Sequence, residues 1–267
     1  MPFVTSAGSN IYWEESGAGE PILLIMGLGY SHEMWHRSRA ALAVAYRTIV
    51  FDNRGVGKSD VPPGPYTIAQ MAADAAAVLD AGGVESAHIF GVSMGGMIAQ
   101  EFAIAYPNRV RSLILGCTTC GRGGVSAALN VLQILIARAT MTFDEASAAI
   151  GPYIYDASTP RTRIEEDLAI RRHTYPTSAG YMAQVAGIQA WSSLDRLAAI
   201  RMPTLIIHGE SDQLVPPENA RILASHIAGA HLVMLPKASH IFSTDQPEAS
   251  IQVVMGFLKL HAAAPVH

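Results

Sequence analysis

The chain has 267 residues, a formal net charge of −4, and 50% hydrophobic against 15% charged residues. This length and composition fit one large domain, or one core with an inserted segment, that buries ample apolar surface. Because no long basic run is present, the sequence offers no electrostatic platform for nucleic acid. We therefore expect a small organic molecule as the partner.

The N-terminal stretch MPFVTSAGSN has neither the basic nor the apolar region of a secretory signal, and no apolar run reaches the length that spans a bilayer. Cys117 and Cys120 are the only cysteines, too few for a secreted disulfide scaffold. The sequence thus predicts a soluble, cytoplasmic protein with no membrane partner. It leaves the oligomeric state open.

Taken in chain order, short β-rich runs alternate with helix-length amphipathic segments, which predicts a mostly parallel twisted sheet with helices on both faces. NIYWEESG and EPILLIMG, joined by GAG, predict an early antiparallel pair. Five further strands, rich in Ile, Leu and Val, are predicted at YRTIVFD, AHIFGV, RSLILGC, PTLIIHGE and AHLVMLP. Helices are predicted from Ser31 to Ala45, Tyr66 to Ala81, Ser93 to Tyr106, Pro217 to Ile227 and Pro247 to Leu260.

The alternation fails from about Gly121 to Asp195, where several helices but no convincing strand are predicted. We interpret residues 121–195 as a helical insertion, a lid, after the strand RSLILGC. The core would then consist of residues 1–120 and 196–267.

A serine stands between glycines in GVSMGG, where Gly91, Ser93 and Gly95 match the pattern GxSxG. The strand AHIFGV leads into it and a predicted helix leads out. This strand-turn-helix setting is the one that a nucleophile elbow requires, so it carries more weight than the short pattern itself. Ser93 is therefore the candidate nucleophile.

A serine hydroxyl is a poor nucleophile at neutral pH and needs a base, which in turn needs a group that orients it. Asp212 follows the strand PTLIIHGE, and His240 follows AHLVMLP. Because the carboxyl ends of parallel strands share one edge, both can converge on Ser93. Asp245 is the rival acid, and His208, at a strand end, is interpreted as structural.

The order Ser93, Asp212, His240, together with MGLG, DNRGVGKSD, GVSMGG and HGESDQLVP, resembles the α/β-hydrolase superfamily over nearly the whole chain. Within it, DxRGxGxSD and GxSMGG are most similar to small bacterial esterases and lactonases such as 3-oxoadipate enol-lactonase. The resemblance implies a Ser93 nucleophile, a His240 base and acid, and an orienting Asp212.

The same resemblance implies an oxyanion hole formed by the backbone N–H groups of Leu28 and Met94. The chain departs from many relatives at one position, where Met26 and Gly27 stand in place of His-Gly. Since the donor is a backbone group, the hole survives this change, whereas the local packing is affected.

A second motif, formed by His32, Glu33 and His36, spells the HExxH of zinc peptidases. It lacks the extension of that signature, because Arg39 and Leu42 stand where a glycine and a histidine belong. We interpret the segment as pocket-lining or structural, and we expect neither a metal nor a cofactor.

Two further patterns imitate other sites. GVGKS at 55–59 resembles the end of a phosphate-binding loop, but Asp52 occupies the first glycine position and DVPPGP cannot open the helix that would hold phosphate. Cys117 and Cys120 have CxxC spacing without a second pair, so we expect two buried or partly buried thiols.

These features predict a serine hydrolase that cleaves a carboxylic ester or lactone of a small to medium apolar compound. His32, Trp35 and Ile241 are expected to add walls to the pocket beneath the lid. A carbon–carbon bond hydrolase or a cofactor-free perhydrolase would use the same triad. From other classes, a non-catalytic small-ligand receptor and an HExxH zinc peptidase remain as alternatives.

Overall fold

The computed structural model describes residues 2–262. One sheet contains the strands β1 (Phe3–Ser6), β2 (Ser9–Ser16), β3 (Glu20–Ile25), β4 (Tyr46–Phe51), β5 (Ala87–Val92), β6 (Val110–Gly116), β7 (Thr204–Gly209) and β8 (His231–Leu235). Their spatial order is β1-β2-β4-β3-β5-β6-β7-β8. Strands β3 to β8 run parallel to one another, whereas β1 and β2 are antiparallel to their partners. The expected mostly parallel sheet is confirmed.

The expected antiparallel pair of β2 and β3 is wrong, because β4 lies between them. Trp13 of β2 pairs with Phe51 of β4, and Leu24 of β3 pairs with Val50 on the other edge of β4. Residues 22–25 are buried, which requires a central position with neighbours on both sides. A short glycine turn between two strands usually predicts a hairpin. Here the burial of residues 22–25 instead places β3 in the interior of the sheet, between β4 and β5. Strand β1 was not predicted at all.

The helices within residues 2–262 are α1 (His36–Leu42), α2 (Ile68–Ala81), α3 (Met94–Ala105), α4 (Leu129–Ala137), α5 (Phe143–Ile154), α6 (Arg161–His173), α7 (Ser178–Ala190), α8 (Glu218–His226), α9 (Phe242–Asp245) and α10 (Pro247–Leu260). The segment predicted as one helix from Ser31 to Ala45 is a 3₁₀ turn, His32–Trp35, followed by the short α1. The other predicted helices agree to within about two residues. None of these helices is both long enough and apolar enough to cross a bilayer.

Helices cover both faces of the sheet, as strand β3 illustrates. Its residues Leu23 and Ile25 belong to the core beneath α2 and α3, whereas Ile22 and Leu24 belong to the core beneath α1 and α10. All four side chains are fully buried. Each such burial contributes about 1.5–3 kcal/mol to folding, so the central strands form a rigid base for the residues at their ends.

Four helices, α4 to α7, lie between β6 and β7, where the helical insertion was expected. They have a small core of their own around Val131, Ile150 and Ile154. The interpretation of this insertion as a lid remains a prediction. Residues 1 and 263–267, which that prediction assigned to the core, lie outside the described part of the chain.

Candidate active site

Ser93 occupies a strained turn between β5 and α3. Its backbone angles are φ 55° and ψ −123°, a conformation that costs a residue with a Cβ about 1–3 kcal/mol. Two hydrogen bonds hold it there, because Ser93 N–H donates to the Gly116 carbonyl at 2.9 Å and Thr118 Oγ1 donates to the Ser93 carbonyl at 2.7 Å. Strain that the surroundings maintain in this way is typical of functional positions.

The glycines beside Ser93 allow close backbone approach. A Cβ on Gly91 would collide with the carbonyl oxygen of Gly95, and a Cβ on Gly95 would collide with the carbonyl oxygen of Ile25. Helix α3 therefore begins in contact with the ends of both β5 and β3. This contact explains why an apolar strand runs into a serine flanked by glycines, and it fixes the hydroxyl at the edge of the sheet.

The carboxyl ends of β7 and β8 bring together the predicted acid and base. Nδ1 of His240 lies 2.8 Å from Oδ2 of Asp212. The other oxygen, Oδ1, accepts hydrogen bonds of 2.9 Å from the N–H groups of Leu214 and Val215. His208, interpreted from the sequence as structural, has its Nε2 3.3 Å from Asp212 Oδ2 and 2.8 Å from the Val215 carbonyl oxygen.

This environment keeps the carboxyl group of Asp212 ionised. Burial raises its pKa, but the charge of His240 and the hydrogen bonds from His208 and His240 outweigh burial and hold the pKa well below its usual range. A buried carboxylate at Nδ1 fixes the ring orientation of His240. Nε2 is then the ring nitrogen left to exchange a proton with another group.

The rival acid, Asp245, has different partners. Its carboxylate accepts hydrogen bonds of 2.6 Å from the N–H group of Ser239 and from Thr159 Oγ1. Burial raises the pKa of Asp245 to about 6, despite those two bonds. Asp212, not Asp245, is the carboxylate in contact with the imidazole of His240.

Ser93 and His240 line one cavity of about 310 Å³, at the edge of the sheet beneath the helical insertion. Within residues 2–262, no hydrogen bond joins the Ser93 hydroxyl to the His240 imidazole. Such bonds are often long in the absence of substrate and shorten in the Michaelis complex. The hydroxyl and the imidazole thus line the same cavity, where both would face a bound molecule.

The two predicted oxyanion donors lie on the same cavity. Leu28 and Met94 are among its lining residues, and neither N–H group donates a hydrogen bond to any residue that the structure describes. A Cβ on Gly27 would lie 3.0 Å from the Cβ of Ser93, so the segment after β3 passes directly beside the serine. Met94 is the first residue of α3, where N–H groups have no partner within the helix.

Side chains from two other regions hold the loop after β3. Asn53 Nδ2 donates to the Met26 carbonyl at 2.9 Å, and the Gly29 N–H group donates to Gln184 Oε1 at 2.9 Å. Met26 itself is buried in the apolar core on the α1 and α10 side. The residue that replaces the usual histidine thus contributes packing, and its carbonyl anchors the loop that carries Leu28.

Of the three residues expected to add walls to the pocket, Trp35 and Ile241 line the cavity and His32 does not. The side chain of His32 is buried at the other side of the loop, with Nδ1 2.8 Å from Asp52 Oδ1. The expectation for His32 is therefore corrected. A buried acid that follows β4 binds the imidazole and holds it away from the cavity.

The remaining part of HExxH, His36, has its Nε2 3.8 Å from Asp167 Oδ1. Neither His32 nor His36 belongs to a group of three potential metal ligands among the described residues. The group that does occur there consists of Cys117, Asp212 and His240, with ligand atoms within 4.8 Å of one another. Burial and the charge of Asp212 raise the pKa of Cys117, so this thiol is protonated in the protein as described.

The two other motifs that resemble known sites, GVGKS and the CxxC pair, have structural explanations. Asp52 accepts a hydrogen bond of 2.8 Å from the N–H group of Lys58. A backbone N–H group of the GVGKS loop thus binds a carboxylate of the protein itself, where a phosphate-binding loop would bind phosphate. Asp60 accepts from the N–H group of Asn10 at 2.7 Å. Cys117 and Cys120 are both buried free thiols, as expected.

Several residues of the cavity wall were not identified from the sequence. Tyr30 and Met34 come from the loop and turn after β3, and Arg138 comes from the end of α4. The position of Tyr30 next to MGLG was a signal that could have identified it. Arg138 had no such signal, because an arginine at the end of a helix is usually exposed.

The topology of the sheet and the position of the elbow are those of an α/β-hydrolase. A family model described as "alpha/beta hydrolase fold" matches residues 20–247, and the chain belongs to this family. This result confirms the resemblance inferred from the motifs.

Individual relatives cover almost the whole chain. A protein from Azorhizobium caulinodans named as the carbamate hydrolase RutD is 34% identical over 260 residues, which is 96% of this chain and 98% of that protein. The poly(3-hydroxyalkanoate) depolymerase of Ectopseudomonas oleovorans is 32% identical over 243 residues, 90% of this chain and 84% of the depolymerase. The crystal structure of an enol-lactonase from Burkholderia xenovorans matches with a TM-score of 0.87 at 27% identity, covering 97% of this chain and all of that one.

Proposed function

We propose that the protein is a serine hydrolase that cleaves a carboxylic ester or lactone, with Ser93 as nucleophile, His240 as general base and acid, and Asp212 as the orienting carboxylate. The observation that carries the proposal is the buried His240–Asp212 pair, 2.8 Å apart, whose histidine lines the same cavity as the strained Ser93. Hydrolase names among the relatives support the same class of reaction.

In the first half of the reaction, Ser93 Oγ attacks the substrate carbonyl carbon while Nε2 of His240 takes the hydroxyl proton. The carbonyl oxygen becomes an oxyanion, and the N–H groups of Leu28 and Met94 donate to it. Each donor of this kind is worth about 10² to 10³ in rate. The intermediate collapses when the bond to the alcohol oxygen breaks and His240 returns the proton to that oxygen.

In the second half, a water molecule loses a proton to His240 and attacks the acyl-enzyme. The new intermediate releases the carboxylic acid, and the proton on His240 returns to Ser93. Asp212 stays ionised throughout, because its pKa lies well below the working range. Its role is to hold the ring and to stabilise the imidazolium.

The cavity suits a small to medium substrate with a largely apolar acyl part. Its wall contains Met34, Trp35, Val92 and Ile241, and the insertion closes it from above with Leu132 and Leu135. We infer that the insertion is a lid that sets specificity, because it supplies the wall opposite the catalytic edge.

A non-catalytic receptor is the second candidate, favoured by the missing hydrogen bond between Ser93 and His240 in the described residues. It would bind a small molecule in the same cavity without turnover. Hydrolysis that depends on Ser93 separates the two functions.

The test uses 4-nitrophenyl butyrate with the wild type, Ser93→Ala and Ser126→Ala. Ser126 is a second serine on the cavity wall and serves as the matched control. We expect Ser93→Ala to lose at least about 10³-fold in kcat, and Ser126→Ala to stay within a few-fold of the wild type, with both melting like the wild type. Undiminished hydrolysis by Ser93→Ala would contradict the mechanism, and no hydrolysis by the wild type across a panel of esters and lactones would favour the receptor.

A further inference from the structure

A glutamine of the insertion is buried against the loop that carries a proposed oxyanion donor. Gln184 lies on α7 and is fully buried. Its Oε1 accepts a hydrogen bond of 2.9 Å from the Gly29 N–H group, and its Nε2 donates one of 2.8 Å to the Arg54 carbonyl oxygen. Gly29 directly follows Leu28 in the chain. One side chain of the insertion thus binds both the loop after β3 and the loop after β4.

Glutamine matches the chemistry of its two partners. A backbone N–H group can only donate and a carbonyl oxygen can only accept, so this position needs an acceptor and a donor on one side chain. A primary amide supplies both, whereas an ionised carboxylate cannot donate and an apolar side chain does neither. Because both hydrogen bonds are buried, a side chain without these atoms would leave two backbone groups unpaired.

Helix α7 lies directly on the core at this point. Gly180 and Gly187 share a helix face with Gln184, four residues before it and three residues after it. A Cβ on Gly180 would collide with the carbonyl oxygen of Gly55, and a Cβ on Gly187 would collide with the carbonyl oxygen of Tyr66. The two glycines therefore let the helix backbone contact the core on either side of the glutamine.

The loop after β3 packs against the same helix. A Cβ on Gly29 would lie 2.9 Å from Cδ2 of Tyr181, which precedes Gln184 by three residues on α7. Tyr181 is buried, and its hydroxyl donates to the Leu135 carbonyl oxygen at 2.8 Å, so α4 holds this ring in position. Gly29 is thus in contact with α7 through both an aromatic ring and a hydrogen bond.

The second partner of Gln184 is itself fixed in the core. The Arg54 guanidinium donates two hydrogen bonds, of 2.7 and 2.6 Å, to the carboxylate of Asp74 on α2. Both side chains are almost fully buried, and paired charge-assisted bonds of this kind have a well-defined geometry. Gln184 therefore connects the loop after β3 to a rigid part of the core.

We propose that Gln184 is a positioning residue for the oxyanion hole, and that it directs the Leu28 N–H group into the cavity only when α7 is docked on the core. The inference rests on the proposed hydrolase function and deepens it, because the insertion then helps to stabilise the oxyanion as well as to form the cavity wall. The effect falls on the transition state, since the donor is placed for the oxyanion that develops there.

Gln184→Met tests the proposal, because it removes both hydrogen bonds at nearly constant side-chain volume. We expect kcat for 4-nitrophenyl butyrate to fall by about 10- to 100-fold, because small displacements of an oxyanion donor are costly. KM should stay within about threefold, since the lost interaction belongs to the transition state. A folded variant with kcat within about threefold of the wild type, whatever its KM, would overturn the proposal and leave the hydrolase function intact.

Thr244→Val is the matched control. Thr244 Oγ1 donates to Asp167 Oδ2 at 2.7 Å, so it also joins the core to the insertion through a buried hydrogen bond. Neither residue belongs to the loop after β3 or to α7. The variant should melt at a lower temperature than the wild type but keep kcat within about threefold. An equal fall of kcat in both variants would show that a loosened insertion, and not the bond to Gly29, slows the reaction, and this result would also overturn the proposal.

Hydrogen exchange provides a readout that does not need turnover. The Gly29 amide is bonded to Gln184 Oε1, so the peptide that contains residues 26–30 should exchange at least about tenfold faster in Gln184→Met than in the wild type or Thr244→Val. If no ester is hydrolysed, the hydrolase function fails, and exchange still decides whether Gln184 holds the loop. Equal exchange in all three proteins would refute the role of Gln184. Should the methionine variant not fold, Gln184→Asn, whose amide is one methylene too short to keep both bonds, takes its place in both measurements.

Discussion

His240 and Asp212 form a buried imidazole–carboxylate pair, with Nδ1 and Oδ2 2.8 Å apart, although 28 positions separate them in the chain. Strands β7 and β8 produce this pair, because each ends at the same edge of the sheet and delivers one of the two side chains. The mechanism that we propose depends on the pair.

Asp212→Asn should therefore lower kcat by about 10² to 10⁴-fold, because an amide cannot stabilise the imidazolium and can favour the wrong tautomer of His240. The measurement is kcat for 4-nitrophenyl butyrate with folded protein, checked by thermal melting. The matched variant is Asp245→Asn, whose carboxylate contacts Ser239 and Thr159 instead. It should keep kcat within about tenfold of the wild type. If Asp245→Asn lost far more kcat than Asp212→Asn, Asp245 would be the acid of the triad.

Gly27→Ala should reduce activity more than stability. The new Cβ would lie 3.0 Å from Ser93 Cβ and 3.5 Å from Ser93 Oγ, so the serine or the loop must move by a few tenths of an ångström. Small displacements of reacting groups are costly, and we expect a loss of about 10- to 100-fold in kcat.

The control for this variant is Gly256→Ala, in helix α10, where a Cβ would meet nothing within 4 Å. It should leave kcat unchanged and raise the free energy of unfolding by about 0.5–1 kcal/mol. If Gly27→Ala hydrolysed esters as fast as Gly256→Ala, the loop after β3 would not take part in the reaction.

Asp245 should make stability fall as pH rises from about 4 to 6. Burial raises the pKa of Asp245 to about 6 in the folded protein, above the value of about 3.9 in the unfolded chain. The folded state therefore binds more protons than the unfolded chain in this window. The stabilisation that Asp245 contributes is fully present below pH 4 and is lost as pH rises through 6. The size is of order 2–3 kcal/mol.

The measurement is urea unfolding of the wild type and of Asp245→Asn at several pH values. The difference between their free energies of unfolding should change by the stated amount between pH 4 and 6 and then level off. Asp212 does not interfere, because its lowered pKa places its own loss of stability at pH values below about 4. A difference that stays constant with pH would show that Asp245 titrates normally.

Local sequence patterns predicted the parts of this structure that depend on neighbours in the chain. Ser93 was predicted as the nucleophile because a strand, a turn and a helix surround it within a few residues, and Asp212 was predicted as the acid because it lies a few residues after a buried strand. The order of β2 and β3 was mispredicted, because β4, which lies between them, comes later in the chain.

Two cavity assignments depend on contacts between distant segments, which no local pattern contains. His32 was expected on the wall of the cavity, but Asp52, 20 positions away, binds its ring. Arg138 was missed because the burial of its side chain involves Tyr30 and Tyr181, more than 40 positions away on either side. Buried charges of this kind become visible only when the packing is known.

The central claim is that Ser93 is the nucleophile, and covalent labelling tests it most directly. A fluorophosphonate reacts with an activated serine when Oγ displaces fluoride at phosphorus, and mass spectrometry of the digested protein locates the adduct. We expect one adduct per chain, on the peptide that contains Ser93, with loss of ester hydrolysis in proportion and no labelling of Ser93→Ala. An active wild type that remains unlabelled at Ser93, or that carries its adduct on another residue, would contradict the account.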